Sequence, residues 1–434
     1  MLSPFVRAFR TPDLRRKLLF TLWIMALFRL GSFVPTPGVD YGNVQVCIAG
    51  QPTEGGDMLG LINLFSGGAL LQLSVFALGI MPYITASIIV QLLRVVIPRF
   101  EELQKEGQTG TAVLTQYTRY LTIFLAVLQA TTIITVARTG NLFPGCEVPI
   151  IPDDSWSTLV LMIITMTAGT GLIMWLGELI TERGVGNGMS LLIFTSIAAS
   201  FPAAVQQIAA TEDGALNIVL FLIIAFVVIV AIVFVELSQR RVPVQYAKRM
   251  VGRRMYGGSS TYIPIKINMS GVIPVIFASS LLMLPTLAVQ FADDQTAGWV
   301  QWIVANLQDT TASLHLALYA AMIIFFAFFY TSITFNPDDV ADNMKRYGGF
   351  IPGIRAGRPT AEYLRYVIHR ITTVGALYLA VVAMIPTIAF NLMGVTTAIP
   401  FGGTSLLILV SVGLNTVQKI DAQLQQRHYE GFLR

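Results

Sequence analysis

Long apolar runs separated by polar connections extend along the chain. A run of about 20 apolar residues can cross the hydrocarbon core of a membrane as a helix. The pattern therefore predicts an all-α integral membrane protein with ten transmembrane helices. The predicted spans are 18–36, 69–93, 117–137, 157–179, 189–209, 216–236, 271–291, 313–333, 371–390 and 399–417.

One apolar run is too long for a single span and is interrupted near its start by two glycines. It extends from Leu61 to Leu93, with the interruption at Gly67 and Gly68. At about 1.5 Å per residue this run would form a helix of roughly 50 Å, whereas the hydrocarbon core is about 30 Å thick. The residues after the glycines already suffice to cross, so those before them are surplus. Because irregular backbone is not tolerated against lipid, the run predicts a re-entrant segment within the protein. A short interfacial helix in an outer loop is the alternative.

Composition and the placement of charge support a membrane protein with a defined orientation. The chain is 54% hydrophobic and 12% charged, against roughly 25% charged residues in soluble domains. The basic residues are concentrated in the amino-terminal segment and after the sixth and eighth spans: Arg7, Arg10, Arg15, Arg16, Lys17, Arg240, Arg241, Lys248, Arg249, Arg253, Arg254, Lys266, Lys345, Arg346, Arg355, Arg358, Arg365 and Arg370. The connections after the first, third, fifth and seventh spans carry acidic residues instead. The positive-inside rule then predicts that both termini are cytoplasmic.

The chain has two cysteines, and both fall in predicted outer connections. They are Cys47 and Cys146. An oxidising compartment would allow a disulfide between them, but the sequence does not show that they come within bridging distance. Two separate free thiols are the simpler expectation.

Ten spans divide into two sets of five, at 1–210 and 211–434. Because five is odd, the second set enters the membrane from the opposite side, so a duplication would give two inverted five-helix halves. Two cytoplasmic connections, 237–270 and 336–370, are too long to be turns, and the first contains β-favouring stretches. Their arginines fit either binding to anionic phospholipids or docking of a partner.

Ionisable groups that could support catalysis or ion coupling are sparse within the spans. The three histidines lack metal-ligand spacing, so we expect no metal, no cofactor and no enzymatic activity. Glu178 and Glu236 lie at the cytoplasmic ends of spans, where we expect them to face the surface. Arg29 is the charge inside a span, and an anchor or interhelical partner is the expected role. A secondary transporter and a membrane-embedded enzyme are the rival classes, but both need buried ionisable groups that the sequence does not show.

Isolated polar side chains, among them Gln91, Gln129 and Asn268, interrupt the apolar spans. Each interhelical hydrogen bond of this kind contributes about 0.6 kcal/mol. Such weak contacts suit helices that separate, but they also suit ordinary helix packing, and the pattern leaves both open.

Short motifs occur in a specific order along the chain. They are Gly67-Gly68-Ala69-Leu70, Phe76-Ala77-Leu78-Gly79-Ile80-Met81-Pro82-Tyr83-Ile84, Gln116-Tyr117-Thr118-Arg119-Tyr120, Trp175-Leu176-Gly177-Glu178, Thr181-Glu182-Arg183-Gly184, Gln239-Arg240-Arg241, Tyr246-Ala247-Lys248-Arg249, Gly271-Val272-Ile273-Pro274, Phe335-Asn336-Pro337, Pro352-Gly353-Ile354-Arg355 and Phe401-Gly402-Gly403-Thr404-Ser405-Leu406-Leu407. In this order they resemble the SecY family, the central channel subunits of the bacterial protein translocase. The outer loops near 41–57 and 141–155 and the carboxyl-terminal tail do not carry the resemblance.

The resemblance implies a clamshell of two halves around an hourglass pore, in complex with SecE and SecG. It places an aliphatic pore ring at Ile80, Ile84, Met189, Ile193, Ile276 and Ile408, where Met189 departs from the family's usual isoleucine. It makes residues 61–72 a plug on the outer side of the ring. The plug and hinge residues are Leu61, Ile62, Asn63, Leu64, Phe65, Ser66, Gly67 and Gly68.

The resemblance also implies how the channel is used. A lateral gate between spans two and three and spans seven and eight would carry Gln91, Gln129 and Asn268 on its polar seam. Opening the gate would release signal sequences and transmembrane segments of nascent secretory or membrane proteins into the lipid. The motor SecA or the ribosome would dock on the basic loops at Arg241, Lys248, Arg249, Arg254 and Arg355 and drive transport across the bacterial cytoplasmic membrane.

Overall fold

The computed structural model describes residues 9–50, 63, 65–138, 146, 148–153, 155–209, 214–246, 249–251, 254–256, 260–290, 297–309, 312–392 and 403–430. Helices dominate these residues. They are α1 (Pro12–Gly31), α2 (Tyr41–Gly50), α3 (Met81–Val96), α4 (Pro98–Lys105), α5 (Gln108–Arg138), α6 (Trp156–Arg183), α7 (Gly188–Ala209), α8 (Gly214–Leu237), α9 (Ile273–Gln290), α10 (Gly298–Ile303), which continues as a π-helical turn (Val304–Gln308), α11 (Ser313–Thr334), α12 (Pro337–Arg346), α13 (Arg358–Leu392) and α14 (Gly403–Glu430).

Several of the described helices can cross a membrane by length and composition. Five are long and apolar enough: Gln108–Arg138, Trp156–Arg183, Leu216–Leu237, Ser313–Arg346 and Arg358–Ala389. A sixth results if the bent pair Met81–Arg94 and Pro98–Lys105 forms one span. Gly188–Pro202 and Ile273–Leu282 are shorter apolar helices. The protein is therefore a multi-spanning helical membrane protein, while the count of ten stays a prediction.

The second predicted span differs from the structure at its start. We expected a helix from residue 69, but residues 66–80 form consecutive turns and α3 begins only at Met81. Gly67, Gly68 and Gly79 have positive φ angles of 70°, 88° and 57°, which a helix does not contain. The irregular segment between the glycines and α3 is therefore longer than the apolar pattern indicated.

The two long connections, 237–270 and 336–370, fold together. Strands β1 (Gln239–Tyr246) and β4 (Ser260–Lys266) pair antiparallel, and β5 (Gly349–Phe350) from the second connection pairs with the other edge of β1. This pairing confirms the prediction that the β-favouring stretches of the first connection form strands. A smaller hairpin, β2 (Arg249–Val251) with β3 (Arg254–Tyr256), lies at its tip. One face of the larger sheet packs on α12 and α13 through an apolar cluster: Val242, Val244, Ile265, Met344, Ile351, Leu364, Val367 and Ile368.

Two large apolar clusters form most of the core of the described residues. One combines α1, the turns of 65–80, α3 and α5–α7 with single residues from later helices. The other combines α8, α9, α11, α13 and α14. The division into halves at residues 1–210 and 211–434 stays a prediction, because separate cores do not by themselves establish an inverted repeat.

The two cysteines are joined by a disulfide, so the expectation of two free thiols was wrong. Cys47 on α2 bonds to Cys146, with the Cα atoms 5.6 Å apart and a sequence separation of 99. Cys47 is buried within the apolar cluster that contains α1 and the turns of 65–80. The bridge thus ties two connections, distant in the chain, against the same core.

We expect this disulfide to be present in the protein purified from the membrane. Without reductant, neither cysteine of the native protein should react with a maleimide after denaturation, and both should react once reductant is added. The variant C47S is the control, because its remaining Cys146 should be labelled without reductant. Removal of both cysteines should lower the midpoint of thermal unfolding, because a disulfide restricts the unfolded chain. Labelling of the native protein without reductant would contradict the bridge.

Candidate channel and plug

The six residues assigned to a pore ring come from four different parts of the chain. Ile80 precedes α3 and Ile84 lies in its first turn, Met189 and Ile193 lie in the first turns of α7, Ile276 begins α9, and Ile408 lies in α14. Ile80 and Ile84 are four residues apart, and so are Met189 and Ile193. This spacing places the two members of each pair on one side of a helix. All six residues belong to, or pack against, the same apolar cluster.

Burial within this cluster is nearly complete. Ile80, Ile193, Ile276 and Ile408 are 1%, 4%, 8% and 1% exposed, while Ile84 and Met189 are partly buried. Their side chains carry only hydrocarbon or thioether groups, so these six residues offer water and ions almost no hydrogen-bonding partner. An apolar constriction of this kind can exclude water and ions by dewetting.

The described residues of the predicted plug are Asn63 and residues 65–72, and part of this segment packs into the same cluster. Phe65 is 3% exposed and belongs to that cluster. The backbone carbonyl of Asn63 accepts hydrogen bonds from the Gly68 N–H at 2.8 Å and the Ser66 hydroxyl at 3.0 Å, and its side-chain oxygen accepts from the Leu71 N–H at 3.2 Å. Asn63 therefore organises the glycine turn from inside the segment. The plug residues Leu61, Ile62 and Leu64 lie outside the described residues.

Further along, at residues 73–75, the same segment is bound to the chain that leaves α1. The Thr36 N–H donates to the Leu73 carbonyl at 3.0 Å, and the Val75 N–H donates to the Val34 carbonyl at 2.9 Å. We call this backbone pairing between residues 34–36 and 73–75 the α1 tether. The Phe28 and Phe76 rings stack beside it with centroids 5.9 Å apart.

Gln91 and Gln129, two of the residues predicted on a lateral gate, lie on α3 and α5. Gln91 on α3 donates to Ser87 of the same helix at 3.4 Å, and Gln129 is half-buried on α5. The contact between α3, α9 and α11 is apolar instead. It is formed around Ile88, Phe277 and Phe326, which are three buried residues of one cluster. The Phe277 and Phe326 rings meet edge to face, with centroids 5.4 Å apart.

Asn268 lies in a buried polar cluster that the sequence did not indicate. Its side-chain amide donates to a Glu236 carboxylate oxygen at 2.7 Å, and the Ser411 hydroxyl donates to the same oxygen at 3.1 Å. Glu236 is 7% exposed, so the expectation of a surface role was wrong. The cluster joins α8, the start of α9 and α14. The only sequence signal for it was a carboxylate at the end of a strongly apolar span.

Glu178 also has a specific partner rather than a free surface position. Arg119 on α5 donates to both Glu178 oxygens on α6, from Nε at 2.9 Å and from Nη2 at 2.7 Å. A bidentate pair of this kind fixes the relative orientation of two helices more strictly than one hydrogen bond. It braces neighbouring spans and does not suggest a catalytic role.

The described residues among those predicted to dock a partner lie on the two β-sheets of the long connections and in a neighbouring turn. Arg241 is exposed on β1, with its guanidinium 4.8 Å from the centroid of the Tyr262 ring. Arg355 is exposed in the turn before α13. Arg249 and Arg254 lie on the paired strands of the small hairpin, although their side chains fall outside the description, and Lys248 lies outside the described residues altogether.

The side chains that could bind a metal ion do not form a site among the residues that the structure describes. No group of three or more His, Cys, Asp or Glu side chains in that part of the chain could hold a metal ion. The described part of the site is thus an apolar cluster, an irregular segment packed against it, and polar contacts that join helices.

A multi-spanning helical bundle in which an irregular segment packs against an apolar cluster supplied by several helices is typical of polypeptide-conducting membrane channels. The SecY family model matches residues 74–417, and the chain therefore belongs to the SecY family. The protein translocase subunit SecY of Streptomyces coelicolor is 62% identical over the full length of both chains. The family consists of channel subunits rather than enzymes.

Two solved structures share the fold at low sequence identity. The SecY protein whose plug domain stabilises the closed state of its translocation channel and maintains a membrane seal superposes with a TM-score of 0.60. It is 18% identical, over 93% of this chain and 91% of that one. The idle yeast Ssh1 complex bound to the 80S ribosome superposes with a TM-score of 0.63, at 15% identity over 94% and 89% of the two chains. The ten-helix clamshell is consistent with this fold.

Removal of the buried carboxylate should destabilise the bundle. In Glu236→Ala the Asn268 amide and the Ser411 hydroxyl lose a buried acceptor, which costs about 1–3 kcal/mol. We expect a lower midpoint of thermal unfolding for the detergent-purified protein, followed by intrinsic fluorescence. Glu182→Ala is the matched control, because Glu182 is exposed at the end of α6. Equal midpoints for both variants would show that the cluster does not stabilise the fold.

Proposed function

We propose that this chain is the central subunit of a channel that passes unfolded secretory polypeptides across the bacterial cytoplasmic membrane. The observation that carries the proposal is the shared apolar cluster of Ile80, Ile84, Met189, Ile193, Ile276 and Ile408. Four separate chain segments supply these residues, and a ring needs contributions from several directions. Flexible aliphatic side chains can yield around a passing chain and close again behind it.

The plug complements the ring in the resting channel. Phe65 packs in the cluster that contains the ring residues, so the re-entrant segment adds a second apolar barrier. The related SecY structure whose plug maintains a membrane seal supports this role. In our proposal an entering polypeptide displaces the segment from the ring.

The lateral gate lies between α3 and α5 on one side and α9 and α11 on the other. Helix α9 contacts both α3 and α5, and Ile88, Phe277 and Phe326 fill the contact with α11. Such a seam can separate and admit an apolar segment of about 20 residues to the lipid. Gln91, Gln129 and Asn268 stay as the proposed polar positions of the gate, with Asn268 at the base of α9 rather than on the apolar seam.

The energy for transport comes from a partner. We propose that SecA or the ribosome docks on Arg241, Lys248, Arg249, Arg254 and Arg355, and that SecE, SecG and anionic phospholipids complete the membrane complex. The ribosome-bound Ssh1 neighbour supports a ribosomal partner, and basic side chains suit RNA phosphates. This orientation places both termini and the sheet of β1, β4 and β5 in the cytoplasm.

A stalled secretory chain should crosslink to photoreactive residues at the ring. We expect strong crosslinks from Ile84 and Ile276, because both line the cluster through which the chain would pass. Phe226, which is 69% exposed on α8, is the matched control on the outside of the bundle. Crosslinks confined to Phe226 would contradict the pore assignment.

Charge reversal at the cytoplasmic projection should weaken binding of the ribosome. Arg241→Glu with Arg355→Glu removes two exposed cations and adds two anions, so affinity should fall and should depend less steeply on salt. Co-sedimentation of ribosomes with the purified complex measures this. Arg10→Glu, exposed before α1, is the control. Unchanged binding by the double variant would place the ribosome elsewhere, and an equal loss of SecA binding in the same preparation would identify a shared surface.

A further inference from the structure

Arg29 contacts the glycine turn at the base of the plug. It lies in the last turns of α1, and its Nη1 donates a hydrogen bond to the backbone carbonyl of Gly67. The guanidinium also lies 4.7 Å from the centroid of the Phe33 ring. Arg29 is half-buried. The sequence left an anchor or an interhelical partner as its expected role, and its partner in the structure is the glycine turn rather than another span.

The Gly67 carbonyl needs a partner from outside its own segment. Gly67 and Gly68 have φ angles of 70° and 88°, so the turn leaves the helical hydrogen-bond pattern. The donors close to it in the segment are directed elsewhere: three donate to Asn63, and the Leu70 N–H donates to the Ser66 hydroxyl. A hydrogen bond from an ionised donor is stronger than one between neutral groups, so Arg29 supplies a strong external contact.

The turn is confined between α1 and α7. A Cβ atom added at Gly67 would lie 3.1 Å from Arg29 Nη1 and 3.3 Å from Ser196 Cα on α7. Glycine at this position therefore permits a close approach from both sides. A small shift of the turn would break the contact with Arg29.

The irregular segment is held to α1 and the chain that leaves it at two places, in different ways. The α1 tether uses backbone hydrogen bonds at two neighbouring positions, beside the Phe28–Phe76 stack. The glycine turn is held to α1 by one side chain. Displacement of the plug can therefore break the Arg29 contact and leave the tether intact.

We propose that Arg29 is the positioning residue that holds the plug in the closed channel, and that its hydrogen bond to Gly67 must break when the plug is displaced. This inference rests on the proposed function of the segment as a plug. Loss of the guanidinium favours the displaced plug and makes the resting channel permeable to ions.

Ion leakage through the complete reconstituted complex tests the proposal. Arg29→Gln should raise potassium efflux from proteoliposomes several-fold, toward the value for a channel that lacks residues 61–68. Arg29→Lys should fall between the native protein and Arg29→Gln, because lysine keeps the charge but not the guanidinium geometry. Arg16→Gln is the control, since Arg16 is exposed at the other end of α1.

The deletion separates the two ways in which the proposal can fail. If the channel without residues 61–68 leaks no more than the native protein, the segment is not a plug. If that deletion leaks while Arg29→Gln remains as tight as the native channel, Arg29 does not hold the plug. Formation of the Cys47–Cys146 disulfide in each variant shows that it has folded.

An engineered disulfide tests whether Arg29 acts through the glycine turn. The Cβ atom built at Gly67 lies 3.5 Å from Ser196 Cβ, which is within the range for a disulfide. In the Arg29→Gln background, oxidised G67C/S196C should return efflux to the native level, and reduction should raise it again. Arg29→Gln alone in the same reductant controls for the native disulfide. Persistent leakage with the new disulfide formed would overturn the proposal.

Discussion

Irregular backbone within a membrane protein must find its hydrogen-bond partners inside the protein, and the centre of this structure depends on that constraint. The turns of residues 66–80 lie among apolar helices, where water is not available to satisfy exposed N–H and carbonyl groups. Asn63 satisfies one part of the segment and the α1 tether another. Arg29 supplies the partner for Gly67. The path of the segment is therefore fixed by a few specific bonds.

These bonds allow the segment to be buried without becoming a permanent part of the core. Phe65 contributes apolar area to the central cluster, which favours the closed arrangement. The glycine turn holds little side-chain contact of its own, so moving it costs less than moving a packed helix. A plug needs this combination, because it must seal the channel at rest and leave it during transport.

The rest of the bundle is held by contacts that do not pass through the segment. The Arg119–Glu178 pair joins α5 to α6, and the Glu236–Asn268–Ser411 cluster joins α8, the start of α9 and α14. Between the two sets, the buried side chains Ile88, Phe277 and Phe326 form an apolar contact. In the proposed channel this contact separates and re-forms as the lateral gate opens and closes.

The membrane class, the apolar runs, the basic long connections and the family can all be read from the amino-acid sequence. Each of these depends on composition or local pattern, which neighbouring residues carry. The sequence also indicated the surplus length before Gly67 and the β-favouring stretches around Val242. Only the tertiary structure decided that Cys47 bonds to Cys146, that Glu236 is buried and that α3 begins at Met81. The same is true of Arg29 and Gly67, which are 38 residues apart. These pairings depend on which distant segments meet in the folded chain, and no local pattern of apolar and polar residues specifies that.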